Sequence, residues 1–213
     1  MMERTLIAKD IVYSAEQQAL IDQLESDLKS HMYHKNPKRF AHSISVGHCA
    51  ETLAQAYGAD MLSARVAGIL HDWEKLLPDA ETIDLAERFR IQTEAPYQKI
   101  VGLLHGPLAA KTLPAIYPWL SEQILSAIQK HTAGDCQMSK LDKILYVADL
   151  IEPLRPNFTS VEEARNVYLR GGSLDELYET AFCSVMMYVI SSRSYLYPNS
   201  IALYNEMIEK TSK

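Results

Sequence analysis

Apolar residues in this chain recur at intervals of three and four. The segments they form open on capping residues and close on glycine or proline, and no run alternates convincingly at a spacing of two. That regularity restricts the fold to an all-α one, because a helix brings residues i, i+3 and i+4 to one face, whereas a half-buried strand does so at every second position. About ten helices and no sheet are expected. The opening residues, to about Val12, read as a short extended arm. Ser14-Ala-Glu-Gln17 has the form of a capping box, followed by Leu20, Ile21, Leu24 and Leu28 at helical spacing, with the helix fading near His31 to His34. Asn36-Pro37 opens a second helix, which carries Phe40, Ile44, Cys49 and Leu53 and stops at Gly58. Asp60 caps a third, Met61 to about Leu70, so apolar on its inner side that it belongs at the centre of the molecule.

Pro78-Asp79 marks a break and a new cap, and 79–90 predicts a more exposed helix with Ile83, Leu85 and Phe89 as its apolar members. Pro96 starts a helix expected to run to His105. Gly106-Pro107 then turns the chain into another helix that ends before Pro114, and Pro114 and Pro118 punctuate a loop. Ser121 caps 122–130, with Ile124, Leu125 and Ile128 inward, and Ser139 caps a helix whose stripe is Leu141, Ile144, Leu145 and Ala148. Ser160-Val-Glu-Glu163 reads as a second capping box, with Gly171-Gly172 closing that helix. A long helix is expected from Leu174 to about Tyr195, and Pro198 begins the last.

The chain has 213 residues, of which 47% are apolar. That fits one domain, with a core over about 36–157 and C-terminal helices, 158–213, packed on it. Those helices could close over a site or make a homodimer face. A formal net charge of −6 argues against a nucleic-acid partner. No segment approaches the roughly 20 apolar residues of a membrane span, and the N-terminus lacks the apolar run of a signal peptide. Cys49, Cys136 and Cys183 are odd in number and form no CxxC, as expected of thiols in a reducing, cytoplasmic setting.

Chemistry concentrates on six residues. The adjacent pair His71-Asp72 follows the apolar third helix; His42 lies inside the second; His105, His131 and Asp149 fall at or beside helix ends, with gaps of 18 to 33 residues once the pair is counted as one member. A helix and its turn consume about that length, so each member comes from a different helix, the way metal sites are built inside helical bundles. Imidazole and carboxylate without thiolate suit iron, manganese, zinc or nickel. Cations accompany them: Arg39 one turn before His42, Lys75 three residues past Asp72, and Arg155 six past Asp149. The remaining histidines have plainer readings, His48 as structural and His31 and His34 as solvated. Tyr146 is either core or a contact for a base, and Tyr178, Met186, Met187 and Tyr188 read as core and interface.

The local wording is Arg39-Phe-Ala-His42, Gly68-Ile-Leu-His-Asp-Trp-Glu-Lys75, His105-Gly-Pro107, His131-Thr-Ala-Gly134 and Lys143-Ile-Leu-Tyr-Val-Ala-Asp149-Leu-Ile-Glu-Pro-Leu-Arg155. It resembles the HD-domain superfamily of metal-dependent phosphohydrolases, in particular the YqeK-type symmetrical bis(5'-nucleosyl)-tetraphosphatases. The resemblance implies an HD-domain helical bundle and two divalent ions per chain, with iron as the resident metal. His42, His71, Asp72 and Asp149 would hold one ion. His105 and His131 would hold the other, with Asp72 bridging. It implies symmetrical cleavage of diadenosine tetraphosphate by a metal-bridged hydroxide, with ADP, or GDP from a guanine analogue, as product ligand. Asp72, Lys75 and Arg39 would be catalytic; Arg39, Lys75, Gly106, Thr132, Gly134 and Arg155 would contact substrate. Two rival functions fit the same ligands: a di-iron oxygenase and a nucleotide sensor without turnover.

Overall fold

The computed structural model describes residues 4–211, so Met1, Met2 and Glu3 of the N-terminal arm and the last two residues of the C-terminal segment lie outside the described residues. Among the described residues there are eleven α-helices and no strand. Helix α1, Ala15–Leu28, starts at the Ser14/Gln17 capping box and runs into a π-helical turn, Lys29–Tyr33. Helix α2, Pro37–Tyr57, starts where the Asn36 side chain accepts the Arg39 N–H at 3.0 Å and stops at Gly58. Helix α3, Met61–Leu70, starts where Asp60 accepts the Ser63 N–H at 2.7 Å.

These two helices cross in backbone contact. A Cβ on Gly68 would lie 2.5 Å from the Gly47 Cα, closer than any side chain tolerates. Two glycines at the crossing thus let α3 sink against α2, and residues 64–70 are all buried. The central position expected for the apolar third helix follows from this.

Helix α4, Asp79–Arg88, begins without a side-chain cap. Asp79 is its first helical residue and Pro78 its N-cap, so Asp79 is not the cap its sequence context suggested. Its buried members are Thr82 and Ala86, whereas Phe89 is exposed. A short α5, Tyr97–Ile100, and a 3₁₀ turn, Val101–Leu103, follow. Helix α6 runs from His105 to Ile116, which corrects the expected turn at Gly106-Pro107 and the expected stop before Pro114. Both prolines sit in a terminal turn of the helix. Pro107 lies in the first turn, where N–H groups have no intrahelical partner to lose. Pro114 lies in the last turn; it forfeits the one bond to the Ala110 carbonyl, and the helix still closes with the Tyr117 N–H on the Leu113 carbonyl at 2.7 Å.

Helices α7, Glu122–Lys130, and α8, Lys140–Ile151, start at Ser121 and Ser139 as expected. Helix α9, Thr159–Leu169, starts two residues early: Phe158 is its N-cap, so Ser160 is helical and caps nothing. Helix α10, Leu174–Ser191, ends short of Tyr195, and α11, Pro198–Thr211, closes the described chain. Helix α8 packs against α2, α3, α7, α9 and α10, and Ile144, Leu145, Val147, Ala148 and Ile151 on it are wholly buried. A smaller core of Ala86, Ile91, Ala95, Ile100, Leu104 and Leu108 seats α4 and α5.

The N-terminal arm is tied down by cation–π contact. The Arg4 guanidinium lies 4.9 and 5.1 Å from the Tyr57 and Tyr168 ring centroids and donates to the Tyr168 and Gly172 carbonyls. No helix among the described residues is long and apolar enough to cross a membrane.

Candidate metal centre

Five helices deliver the six predicted residues to one buried spot. His42 comes from the middle of α2, His71 and Asp72 from the turn just past α3, and His105 from the first residue of α6. His131 follows the last residue of α7, and Asp149 sits near the end of α8. Asp72 is 2% exposed and uses its two oxygens differently. Its Oδ2 lies 3.3 Å from His71 Nε2 and 3.8 Å from His42 Nε2. Its Oδ1 lies 3.0 Å from His105 Nε2 and 3.9 Å from His131 Nε2. Asp149 Oδ1 completes the first side, 2.9 Å from His42 Nε2 and 3.8 Å from His71 Nε2. Three of these groupings bring ligand atoms within 4.8 Å of one another: His42, His71 and Asp72; His71, His131 and Asp149; Asp72, His105 and His131.

The imidazoles are aimed by their other nitrogens. His71 Nδ1 donates to the Gly68 carbonyl at 2.7 Å, His105 Nδ1 to the Gly102 carbonyl at 2.9 Å, and His131 Nδ1 to the Ile128 carbonyl at 2.7 Å. A carbonyl only accepts, so Nδ1 carries the proton in all three and each Nε2 turns a lone pair inward. In each case the acceptor is three residues earlier, where the end of a helical segment leaves its carbonyls unpaired. His42, inside a continuous helix, has no such carbonyl and uses the Glu152 carboxylate instead, Nδ1 to Oε1 at 2.9 Å.

This arrangement fits a cation. The His105 and His131 Nε2 atoms face each other at 3.1 Å. With both protons on Nδ1, two lone pairs confront one another there. The His71 Nε2 atom is buried without a hydrogen-bond partner among the described residues. Burial holds both His105 and His131 below the ordinary imidazole pKa, His131 at about 3, so both stay neutral and ready to coordinate. Burial opposes charge on Asp72 as well, but His71 and His105 beside it hold its carboxyl well below the usual range. For His42, burial is outweighed by Asp149 and Glu152, one at each nitrogen, which raise its pKa.

The predicted cations surround the centre. Arg39 Nη1 donates to Asp72 Oδ2 at 2.8 Å; Arg155 donates from Nη2 to Asp149 Oδ1 at 2.6 Å and from Nε to the Asp149 carbonyl at 2.8 Å. Lys75 Nζ sits 3.4 Å from His105 Nδ1, and its burial lowers its pKa. All three line a cleft of about 460 Å³ that opens onto Asp72, His105, His131 and Asp149. Tyr146, Phe158 and Tyr188 supply aromatic wall, so Tyr188, expected as core or interface, belongs to the cleft.

Thr132 is in that wall, although its hydroxyl is committed to the Leu103 carbonyl at 3.0 Å. Gly106 and Gly134, expected to offer backbone donors there, do not line it. A Cβ on Gly106 would lie 2.8 Å from the Ile128 carbonyl oxygen and 3.1 Å from the His131 ring, so its smallness lets α6 approach α7. Gly134, at φ +71°, turns the chain against Tyr178 and Leu203. His31 also departs from expectation. It is not solvated but stacked on Trp73 at 4.1 Å, with Nε2 2.8 Å from the Trp73 carbonyl. His48 is structural, bonded to Glu51 and Arg65.

Glu152 was not singled out by its sequence. It is 1% exposed and lies three residues past Asp149, a spacing that puts both carboxylates on one face of the chain. Its Oε2 accepts the Leu154 N–H at 2.6 Å, which fixes the carboxylate that aims His42. Such outer partners are worth about 10- to 100-fold in metal affinity. Glu152→Gln should therefore weaken metal binding by about that factor while leaving helical content unchanged, as read by metal titration and circular dichroism. Wild-type affinity in this variant would refute the aiming role.

Comparison with known proteins agrees with the geometry. The HD domain family model matches residues 39–154. A Staphylococcus aureus protein named symmetrical bis(5'-nucleosyl)-tetraphosphatase is 31% identical over 175 residues, covering 81% of this chain and 84% of the relative. A Halalkalibacterium halodurans protein of the same name is 32% identical over 182 residues, covering 82% and 91%. A Clostridium acetobutylicum crystal structure, described as a predicted HD superfamily hydrolase involved in NAD metabolism, superposes with a TM-score of 0.79 at 31% identity. It covers 89% of this chain and 97% of its own.

Proposed function

The chain belongs to the HD-domain family, and from that premise we propose that it cleaves diadenosine tetraphosphate, or a related dinucleoside polyphosphate, symmetrically into two nucleoside diphosphates. The protein is a metal-dependent hydrolase, as the names and coverage of its relatives indicate over the oxygenase and sensor alternatives. The observation that carries the two-ion reading is the division of labour on Asp72, with Oδ2 turned to His42 and His71 and Oδ1 turned to His105 and His131. His42, His71, Asp149 and Asp72 would hold one divalent ion; His105, His131 and Asp72 would hold the second. The donor set suits iron, which the family resemblance favours, and equally manganese, zinc or nickel. Two such ions, when bound, supply a water of lowered pKa and positive charge for phosphoryl oxygens.

The chain's own residues account for the rest. Arg39 and Arg155 each rest on a carboxylate oxygen that also faces the histidines. Where that oxygen is taken by a metal, the guanidinium is free to make a bidentate contact with phosphate. Lys75 acts as a point charge at the mouth of the His105 side. Tyr146, Phe158 and Tyr188 offer stacking surface for one base.

The test is direct. Protein purified without oxygen should contain about two metals per chain by elemental analysis and convert diadenosine tetraphosphate to ADP alone, resolved by anion exchange. One AMP with one ATP would overturn symmetrical cleavage. Oxygen uptake without any nucleotide product would favour the oxygenase.

A further inference from the structure

A symmetrical substrate has two equal halves, and the cleft described above, about 460 Å³, is sized for one of them. A second cleft of about 390 Å³ meets the centre elsewhere, lined by Asn36, Lys38, Arg39, Leu154, Arg155 and Pro156. Arg39 and Arg155 belong to both clefts. The first cleft reaches His105 and His131; the second reaches His42 and Glu152. The second cleft therefore meets the centre at His42 and the first at His105 and His131, with Asp72 and Asp149 in the wall of the first alone.

The second cleft is basic in an acidic protein. Lys38, Arg39 and Arg155 line it, and the lone carboxylate on its wall, Glu152, has one oxygen on His42 and the other on the Leu154 N–H. The Lys38 side chain makes no hydrogen bond or ion pair among the described residues. Its ammonium is available for an anion, whereas Arg39 and Arg155 already hold carboxylates. The two clefts also differ in lining: the first has three Tyr and Phe rings and the second has no Tyr, Phe or Trp.

We propose that the second cleft receives the departing half of the substrate, a nucleoside diphosphate gripped by its phosphates through Lys38, Arg39 and Arg155, while the aromatic cleft holds the other half by its base. This rests on the hydrolase reading above and assigns each half a place. The half without a stacking partner leaves first, and free ADP prefers the aromatic cleft.

Lys38→Glu separates the two clefts, because Lys38 lines only the second. The experiment measures KM for diadenosine tetraphosphate and the inhibition constant of added ADP in the metal-loaded protein. One charge-assisted contact reversed in sign should raise KM about tenfold or more. ADP inhibition should stay at the wild-type value, and Lys38→Arg should restore KM. Lys38 lies on the exposed surface of α2, so neither change threatens the fold. An unchanged KM in Lys38→Glu would overturn the second cleft while leaving the hydrolase standing. So would KM and ADP inhibition weakening in parallel, since Lys38 would then act on the first cleft. A wild-type protein that makes no ADP would overturn the hydrolase reading and the second cleft with it.

Discussion

Asp72→Ala should yield a folded protein that holds no stable metal pair and turns over dinucleotide at least about a thousandfold more slowly, several kcal/mol of lost transition-state stabilisation. The size of the effect follows from how many partners meet on one carboxylate. Oδ1 faces His105 and His131, and Oδ2 faces His71, His42 and Arg39. Alanine leaves the His105 side with two imidazoles and no anion, too little to hold an ion against water. The fold should survive. Burial already keeps two of the histidines it abandons, His105 and His131, below the ordinary imidazole pKa, and Arg39, whose side chain is 27% exposed, can be solvated. Elemental analysis, a rate assay and circular dichroism check the three parts together. Wild-type metal content in this variant would remove Asp72 from the bridging role.

Gly68→Ala should be the most destabilising single-methyl change in the molecule, and Gly68→Val should prevent folding. Intrinsic preference points the other way, since alanine in a helix interior is favoured over glycine by about 1 kcal/mol. The added Cβ would stand 2.5 Å from the Gly47 Cα, 2.7 Å from its nitrogen and 3.0 Å from the Val46 carbonyl carbon. All three are backbone atoms, so no rotamer change relieves the contact, and α2 and α3 must separate. Overpacking of this kind costs about 1–3 kcal/mol where side chains can yield, and more where they cannot. For a chain of this length, about 3 kcal/mol corresponds to a fall of roughly 6–12 °C in Tm. Metal affinity should fall with it. Helix α2 carries His42, and the Gly68 carbonyl is the acceptor that aims His71. A thermal melt of Gly68→Ala at or above the wild-type Tm would contradict this account.

What could be read from the sequence follows the range of the forces involved. Ser14, Asn36, Asp60, Ser121 and Ser139 were legible as helix starts because a cap bonds to an N–H two or three residues away. The six-residue centre was legible as residue types at helical separations, and the structure brings all six together. Three kinds of feature were not. Pro107 and Pro114 look like breaks until one knows that each falls in a terminal turn of the helix. Ser160 has the pattern of a cap, yet the helix starts earlier, so the serine falls within it. Gly106, Gly134 and His31 take their roles from partners on other helices, as does Glu152, whose bond to His42 joins positions 110 residues apart.

That separation has a consequence for how the molecule is held together. An ion held as proposed by His42 of α2 and Asp149 of α8 would tie two points of the chain with most of the intervening helices between them. In the unfolded chain the same tie would close a very long loop, whose entropy rises with the logarithm of its length. The His42 side of the centre would therefore form only once α2 and α8 are packed together. Each tenfold excess of free metal over the dissociation constant then adds about 1.4 kcal/mol to the folded state. Metal supply would thus act on the lifetime of the protein as well as on its chemistry. A cell short of the ion would hold fewer intact copies, and those copies would be more open to proteolysis.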